Sequence, residues 1–426
     1  MDAASLSELY GRKKQQIIED CNLCGACVEV CPAIPLSPLA YLPASEIQEK
    51  VIAALKDGIL SEEASLRAAS CTHCSKCRDA CLLDINPVII QELLQLEIVK
   101  SGKKRYPLME INMGDRNLFV PDILASMQVK PEEKDWMAHV PDKPQHRDFV
   151  VFTGCAMVMM PDKIFLVRDI MRRLGGDFVI VAGGELCCGV RCLGVDLNEA
   201  DAHVKNLYNA LAAFQPELVI FCCSECAGRI TQYDREVSPA PFRYEEMFCF
   251  LSRHINDLGL DHPVNKKVTL HDPCSLSRVI GDNSSLRTLL KAIPGLDFVE
   301  MDSNKEESIC CGAVVGRKQR KVGMAMAEKV MEEAARTGAD VLVDACQGCH
   351  FQFCPMEPSY PFKIENLLTV IGEAMGISYE DKLKKFYRYG DVERIMSETG
   401  ECVEAGPYDP GFTALLAQHM FTRPAR

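Results

Sequence analysis

Eight cysteines in the first hundred residues fall into two runs with the same spacing, C-x2-C-x2-C-x3-C. Three thiolates spaced two residues apart can hold one [4Fe–4S] cluster from a single tight loop, and thiolates are the soft ligands that iron prefers. Zinc or disulfides are the alternative, but zinc takes its four ligands as two pairs rather than as an unbroken run. The spacing therefore predicts two [4Fe–4S] clusters, with the ligands Cys21, Cys24, Cys27 and Cys31 in the first run and Cys71, Cys74, Cys77 and Cys81 in the second.

The fourth cysteine of each run is expected to bind the other cluster, as it does in two-cluster ferredoxins. Cys31 is therefore assigned to the cluster of the second run, and Cys81 to the cluster of the first. Pro32 follows Cys31 as the pattern requires, whereas Leu82 replaces the second proline without removing a ligand. The expected fold of residues 1–102 is an α-helical, ferredoxin-like domain, with helices at Glu46–Ala69 and Pro87–Lys100.

From residue 148 onward, short apolar runs alternate with amphipathic stretches, and the pattern occurs twice. Strands alternating with helices predict parallel α/β layers. The first copy has predicted strands at Asp148–Phe152, Phe178–Gly183 and Leu218–Cys223, and helices at Asp162–Leu174 and Asn198–Phe214. The second has predicted strands at Lys267–Asp272, Phe298–Met301 and Val341–Ala345, and helices at Ser284–Ile293 and Lys318–Thr337.

The predicted architecture is thus a helical ferredoxin-like domain followed by two duplicated α/β units. The predicted boundaries are 1–102 for the ferredoxin-like domain, 103–147 for a connector with a short helix near Val120–Gln128, 148–262 and 263–376 for the two units, and 377–426 for a C-terminal tail. The tail contains no recognisable motif, and docking onto a partner is a hypothesis for it.

A second cysteine pattern is duplicated with the α/β units. Each copy has one cysteine, then a Cys-Cys-Gly triplet after 31 or 35 residues, then a C-x2-C pair after 34 more. Several of these cysteines directly follow predicted strands, so they are expected to converge at the carboxyl edge of a parallel sheet. A bend at the glycine would turn the adjacent sulfurs toward one site. The first copy comprises Cys155, Cys187, Cys188, Cys223 and Cys226, and the second Cys274, Cys310, Cys311, Cys346 and Cys349.

This pattern, C-x31–38-CC-x33–34-C-x2-C, resembles the CCG motif of the heterodisulfide reductase family. The double ferredoxin joined to two CCG units looks like that family's two-module catalytic subunit, or a fusion of its B and C subunits. The resemblance implies that each set of five cysteines holds a noncubane iron–sulfur cluster, with disulfide cleavage between the two clusters. The alternative for either set is a structural zinc or an ordinary cubane, because four thiolates suffice for both.

Two functions are compatible with these motifs. In the first, a flavoprotein or ferredoxin-type donor reduces the cubanes, and the noncubane pair reduces a disulfide in two one-electron steps. In the second, the chain is a non-catalytic relay, as in the similar iron–sulfur subunits of glycolate, lactate and glycerol-3-phosphate dehydrogenases, or in a quinone-linked complex. A cluster-maturation or sensor role is a third reading, disfavoured by the number of ordered ligands.

The composition of the chain limits the kinds of partner that it can bind. The net charge of −13 argues against nucleic acid and anionic membranes, and it suits docking to other redox proteins. Of the 23 cysteines, 18 lie in metal-type clusters, and this usage, without a signal-peptide pattern, indicates a reducing cytoplasm. The apolar runs are too short to span a bilayer, so a partner subunit would have to supply any membrane anchor. The expected partners are a membrane subunit or a hydrogenase or dehydrogenase subunit. No G-x-G-x-x-G motif opens a βαβ unit, so any flavin is assigned to a partner.

Several further residues lie near these motifs. His271, three residues before Cys274, is the one candidate catalytic residue, as a proton donor or a hydrogen-bond donor to a cluster. A purely structural histidine at the strand end or in a cap is an equal alternative. For His350, a structural role is preferred over contact with a cluster. Arg191 is expected to be an exposed arginine, and binding of an anionic substrate is its alternative role. Asp272 is expected to shape the turn before Cys274. Packing is the preferred interpretation for Met157, Met159, Met160, Cys249 and Cys402. It is also favoured for Cys222, although this residue could compete with the adjacent ligand Cys223. Cys192 is either packed or a sixth sulfur near the first CCG set, and Cys354 lies outside the motifs.

Overall fold

The computed structural model describes residues 5–102, 110–112, 117–134, 140–184 and 186–422. Parts of the predicted connector, residues 103–109, 113–116 and 135–139, lie outside the described residues, as do the last four residues of the predicted tail. None of the helices in the described ranges combines the length and the apolar character needed to cross a membrane.

Residues 5–102 fold as helices joined by turns, and this range contains no strand. Gly58 ends the third helix in the left-handed conformation, and Ser61 caps the next by accepting a hydrogen bond from the Ala64 N–H. The predicted single helix Glu46–Ala69 is therefore two helices, while the predicted helix Pro87–Lys100 is confirmed. The helices are α1 (Leu6–Asp20), α2 (Ala26–Glu29), α3 (Ala44–Asp57), α4 (Glu62–Ala69), α5 (Lys76–Asp79) and α6 (Pro87–Lys100).

The described part of the connector contains a short antiparallel strand pair and one helix. Strands β1 (Glu110–Asn112) and β2 (Asn117–Phe119) pair with each other, and α7 (Val120–Ser126) follows directly. The predicted helix at Val120–Gln128 is confirmed, two residues shorter than expected.

The first α/β unit is built on a four-stranded parallel sheet with the order β4-β3-β5-β6. The three predicted strands and two predicted helices are all present, with ends shifted by a few residues. The fourth strand, β6, is a short edge strand with the polar sequence Tyr-Glu-Glu, so it carries no apolar run to signal it. The elements are β3 (Arg147–Phe152), α8 (Pro161–Leu174), β4 (Phe178–Val181), α9 (Leu197–Ala212), β5 (Pro216–Phe221), α10 (Ser224–Glu236), β6 (Tyr244–Glu246) and α11 (Met247–Arg253).

The second unit repeats this topology, with the parallel strand order β8-β7-β9-β10. Its edge strand β10 is likewise short and mostly polar, and the sequence patterns do not predict it. The elements are β7 (Lys267–Leu270), a π-helical turn at Ser275–Ile280, α12 (Ser285–Ala292), β8 (Asp297–Val299), α13 (Ala313–Gly316), α14 (Arg320–Arg336), β9 (Val341–Asp344), α15 (Gln347–Phe353), β10 (Lys363–Asn366) and α16 (Leu367–Ala374).

The two units share one apolar core. Val151 and Ile220 from the first sheet belong to the same buried cluster as Val268 and Val343 from the second. Helix α10 also packs against the π-helical turn, so closely that a β-carbon at Gly228 would lie 2.8 Å from the Val279 side chain. The carboxyl edges of the two sheets are therefore held in a fixed relation to each other.

The predicted tail folds back onto the chain as three helices, α17 (Lys382–Tyr389), α18 (Val392–Ala405) and α19 (Pro410–Phe421). Each begins at an aspartate whose carboxylate accepts a hydrogen bond from a backbone N–H of the first turn, so the start of each helix is marked by a capping residue rather than by an apolar pattern. Their apolar faces pack with α7 and with Met159 and Met160. Docking of this segment onto a partner stays a prediction.

Candidate metal centres

The structure gathers the predicted ligands into four groups of thiols. We call Cys21, Cys24, Cys27 and Cys81 site I; Cys31, Cys71, Cys74 and Cys77 site II; Cys155, Cys187, Cys188, Cys223 and Cys226 site III; and Cys274, Cys310, Cys311, Cys346 and Cys349 site IV.

In site I, the thiol of Cys81 lies with those of the first run. Burial raises the pKa of Cys27 to about 11, Arg67 opposes the increase, and the neighbouring charges of Cys21, Cys24 and Cys81 add to it. The buried amide of Gln48 contacts two of these sulfurs, since its Nε2 donates to Cys21 Sγ at 3.6 Å and its Oε1 accepts from Cys27 Sγ at 3.4 Å. The structure therefore places Cys81 beside the thiols of the first run, while the binding of a cluster by these four cysteines stays a prediction.

In site II, Cys31 of the first run lies with Cys71, Cys74 and Cys77. Burial raises the pKa of Cys77, and the charges of Cys71, Cys74 and Cys31 raise it further against the opposing effect of Arg67. Arg67 lies between sites I and II, with 1% of its surface exposed, and it interacts with the charges of Cys31, Cys71, Cys77 and Cys27.

Site III is a chain of contacting thiols at the carboxyl edge of the first sheet. Cys188 hydrogen-bonds with both Cys187 and Cys226, and Cys226 also hydrogen-bonds with Cys223. The pKa of Cys187 is lowered to about 5, first by the Cys188 thiol and then, against burial, by Arg191, whose Nε donates to Cys187 Sγ at 3.5 Å. Arg191 therefore faces the site and is not a simple exposed arginine.

Site IV has the same arrangement in the second unit. Cys310 hydrogen-bonds with Cys274 and Cys311, and Cys349 hydrogen-bonds with Cys311 and Cys346. The Sγ atoms of Cys311 and Cys349 are 3.3 Å apart. Two hydrogen bonds, from Cys274 and then Cys311, lower the pKa of Cys310 although the thiol is buried.

The glycine of each Cys-Cys-Gly triplet makes the bend that brings adjacent sulfurs into one site. Gly189 and Gly312 both have a φ of 78°, in the left-handed region that other residues rarely adopt. A β-carbon would lie 2.5 Å from the carbonyl oxygen of Ala200 in the first unit and of Gly323 in the second. The predicted bend at the glycine is therefore confirmed, and the close packing adds a second reason for glycine.

A cavity of about 1050 Å³ lies between the α/β units and the N-terminal helices and is lined by cysteines of both site III and site IV. Its wall carries basic side chains at Arg191, Arg229, Arg317 and Lys318. Glu225, between Cys223 and Cys226, also faces this cavity; its removal from bulk water raises the pKa of the carboxyl, and Arg317 opposes this increase. The cavity therefore offers space for a small molecule in contact with both thiol groups.

Site II adjoins site IV directly. Arg278, in the turn after Cys274, donates from Nε to the Cys74 carbonyl at 2.6 Å and from Nη1 to the Glu306 and Ser308 carbonyls at 2.8 and 2.9 Å. The buried Thr72 hydroxyl hydrogen-bonds to both the Cys74 and the Cys310 thiols. These side chains join the loop of site II to the loop of site IV.

Six residues near the sites have no signal in the sequence patterns: Arg67, Thr72, Glu225, Arg278, Arg317 and Lys318. Thr72 and Glu225 occupy the variable positions within cysteine motifs, where their type carries no signal of its own. The arginines and the lysine lie within a few residues of one cysteine motif, but several of their contacts, such as that of Arg278 with the Cys74 carbonyl, are with a motif far away in sequence.

The remaining residues near the motifs have structural contacts. His350 lies between Asp344 and Asp381 at 2.7 and 2.8 Å, and these carboxylates raise its pKa against the effect of burial. Arg287 donates to both carboxylate oxygens of Asp272, each at 2.8 Å, which fixes the turn before Cys274. Cys192 faces Glu199 and His203. Packing is confirmed for Met157, Met159 and Met160, which are buried in apolar clusters, while Cys222 and Cys354 are buried and Cys249 and Cys402 are partly exposed.

Comparison with known proteins gives the same division of the chain. The family model described as "CCG: Cysteine-rich domain" matches residues 149–231 and 268–354, which contain sites III and IV. The chain is 28% identical over 401 residues to the Methanosarcina barkeri protein named as the D subunit of dihydromethanophenazine:CoB--CoM heterodisulfide reductase, covering 85% of this chain and 95% of that protein. The two α/β units are therefore CCG cysteine-rich domains, and the chain is similar over most of its length to proteins named as heterodisulfide reductase D subunits.

Two further relatives have different names. The Methanothermobacter marburgensis protein named as the B subunit of fumarate reductase (CoM/CoB) is 26% identical over 387 residues, covering 85% of this chain and 73% of that protein. The probable glycolate oxidase iron-sulfur subunit of Bacillus subtilis is 26% identical over 360 residues, covering 78% of this chain and 76% of that protein. Proteins similar to this chain are thus named for different activities.

We expect Gly312→Ala to lower the free energy of unfolding of the metal-free protein by at least about 1–2 kcal/mol, the cost of a left-handed backbone at a residue with a β-carbon. Chemical denaturation measures the effect. The matched control is Gly316→Ala in α13, where the nearest atom to the added β-carbon is 3.7 Å away. This change should leave the free energy of unfolding unchanged or raise it by up to about 1 kcal/mol, because alanine favours a helix more than glycine does. Equal effects of the two substitutions would contradict the account of the triplet turn.

Proposed function

We propose that this chain is the iron–sulfur electron-transfer subunit of a multi-subunit redox complex of the heterodisulfide reductase type. Sites I and II would hold [4Fe–4S] cubanes in an N-terminal ferredoxin-like domain, and sites III and IV would hold noncubane iron–sulfur clusters. A flavoprotein or ferredoxin-type partner would supply the electrons. We propose that this complex works in the reducing cytoplasm, as the cysteine usage predicts.

The side chains around sites I and II support the assignment of clusters there. Nε and Nη1 of Arg67 have no hydrogen-bond partner within the described residues, although the side chain is fully buried. An unpaired buried cation is costly unless an anionic group lies beside it. Clusters ligated by thiolates carry negative charge, so Arg67 between sites I and II is suited to them.

The observation that carries the proposal is the junction between site II and site IV. Arg278 contacts the backbone that carries Cys74 and the backbone that leads to Cys310, and Thr72 contacts both thiols. When bound, the clusters would act as one-electron carriers, and these residues would hold two of them side by side. Because site I and site II share Arg67, this arrangement supports a route from site I through site II to site IV.

The cavity supports a reaction at the end of this route. Reduction of a disulfide takes up two electrons and two protons, breaks the S–S bond and releases two thiols. Arg191, Arg229 and Arg317 line the same cavity as the sulfurs of sites III and IV, and Nε and Nη2 of the buried Arg229 have no hydrogen-bond partner within the described part of the chain. A disulfide bearing anionic groups is the substrate class that these cations favour.

The relatives' names support a disulfide substrate and a subunit role. One is the D subunit of a CoB--CoM heterodisulfide reductase, and another is the B subunit of a fumarate reductase whose name also carries CoM and CoB. The second candidate function is a relay without its own substrate, serving a flavin-dependent dehydrogenase. It is favoured by the likeness to proteins named as a glycolate oxidase iron-sulfur subunit and lactate utilization protein A.

Disulfide reduction separates the two functions. Holo-protein reduced by a viologen dye should reduce anionic disulfides, and Cys349→Ser should abolish the activity because it removes a thiol of site IV. Cys402→Ser, at a partly exposed cysteine outside all four sites, is the matched control and should keep full activity. Cluster-replete protein that reduces no disulfide in such a panel would favour the relay function instead.

The junction can be tested through Arg278. Arg278→Gln should loosen the loop of site II, because it removes hydrogen bonds whose loss leaves carbonyl groups unpaired at a cost of about 1–3 kcal/mol. Hydrogen exchange of the amides at 71–77 should then speed up by roughly 5- to 150-fold relative to the wild type. Freeze-quench EPR should show that the delay between the reduction of site II and the reduction of site IV is longer than in the wild type. Arg336→Gln, at an exposed arginine of the same unit, should change neither. Unchanged exchange in Arg278→Gln would contradict the role of this contact.

A further inference from the structure

His271 is a buried imidazole without a hydrogen-bond partner for its ring. It follows β7, its backbone N–H donates to the Val343 carbonyl at 2.9 Å, and its side chain is 1% exposed. Neither Nδ1 nor Nε2 has a partner among the described residues. Leaving a buried polar group unpaired costs about 1–3 kcal/mol, so the ring is expected to have a partner in the holo-protein.

The neighbouring protein groups do not supply that partner. The carboxylate of Asp272 is held by Arg287, and that of Asp344 accepts from His350 and Asn366. On another side, the ring meets Phe353 edge-on, at 5.0 Å between centroids. The polar neighbours of His271 are therefore committed elsewhere.

The imidazole instead faces site IV. A ring nitrogen of His271 and the Sγ atoms of Cys311 and Cys349 all lie within 4.8 Å of one another. Imidazole nitrogen and thiolate sulfur are both ligands of iron, and an imidazole N–H can also donate to a cluster sulfur. Because the ring nitrogen lies close to two thiols of site IV, it would also contact a metal group bound by those thiols.

The first unit lacks this feature. Phe152 is the equivalent residue, because it precedes Cys155 by the same three positions as His271 precedes Cys274. Its ring packs edge-on against Phe221, and it belongs to the same apolar cluster as Cys188 and Cys226. The duplicated units thus keep the same cysteines and differ in the residue three positions before the first of them.

We propose that a ring nitrogen of His271 contacts the iron–sulfur group of site IV directly and holds the reduction potential of site IV above that of site III. The inference rests on the proposed function, since it requires such a group at site IV. Hydrogen bonds to cluster sulfurs, and imidazole ligands themselves, raise the potentials of iron–sulfur centres. Site IV, which adjoins site II, would then be the first acceptor of electrons leaving the N-terminal domain.

The test is pulsed EPR on anaerobically purified, full-length protein grown with ¹⁵N-labelled histidine. The reduced wild-type protein should show a histidine nitrogen coupled to a cluster, and His271→Phe, which copies the first unit, should lose that coupling. Redox titration of His271→Phe should show one centre shifted to lower potential. His419→Phe, at an exposed histidine, is the control and should change neither the coupling nor the potentials.

Iron and acid-labile sulfide counts separate the possible failures. Full cluster content without nitrogen coupling in the wild type would overturn the role of His271 and leave the proposed function standing. Coupling that persists in His271→Phe would also overturn it. A site IV without iron would overturn both proposals. If His271→Phe fails to fold, the wild-type spectrum alone still shows whether a histidine nitrogen couples to a cluster. His271→Asn is then a smaller replacement with which the redox titration can be repeated.

Discussion

The protein must keep many cysteine thiols in contact inside the fold without letting their charges repel one another. Burial raises the pKa of most of them, as for Cys71 and Cys155, each to about 12, so a buried thiolate here requires a cation close by. Arg67 provides positive charge between sites I and II, and Arg191 provides it at site III. Bound iron would provide the rest, and the fold around each site follows from the need to bring the sulfurs together.

Sheet topology explains how the duplicated units meet this need. In each parallel sheet, the first and third strands end just before cysteines of the site, because loops at the carboxyl ends of parallel strands lie on one side of the sheet. The triplet glycine then turns two adjacent sulfurs toward the same point. Since the sheets share a core and face a common cavity, two equivalent sites lie opposite each other. Differences such as His271 in place of Phe152 can then give them separate roles.

Much of this arrangement could be predicted from the sequence, because cysteine spacing and strand periodicity are local signals. The exchange of Cys31 and Cys81, the bend at Gly312 and the six main strands are of this kind. The edge strands β6 and β10 were missed because they are short and polar, and the tail helices because the cue was a capping aspartate such as Asp381 rather than a strong apolar pattern. Arg278 was missed because its contacts with Cys74 span 204 positions of the chain.

The most direct test of the account is the iron and acid-labile sulfide content of anaerobically purified protein, with EPR spectra of the reduced and oxidised forms. The account predicts iron and sulfide beyond what two cubanes require, together with EPR signals from centres in addition to the two N-terminal clusters. Signals from two cubanes alone, with zinc or no metal bound to the remaining cysteines, would contradict it. The duplicated units would then be a scaffold, and electron transfer would end in the N-terminal domain.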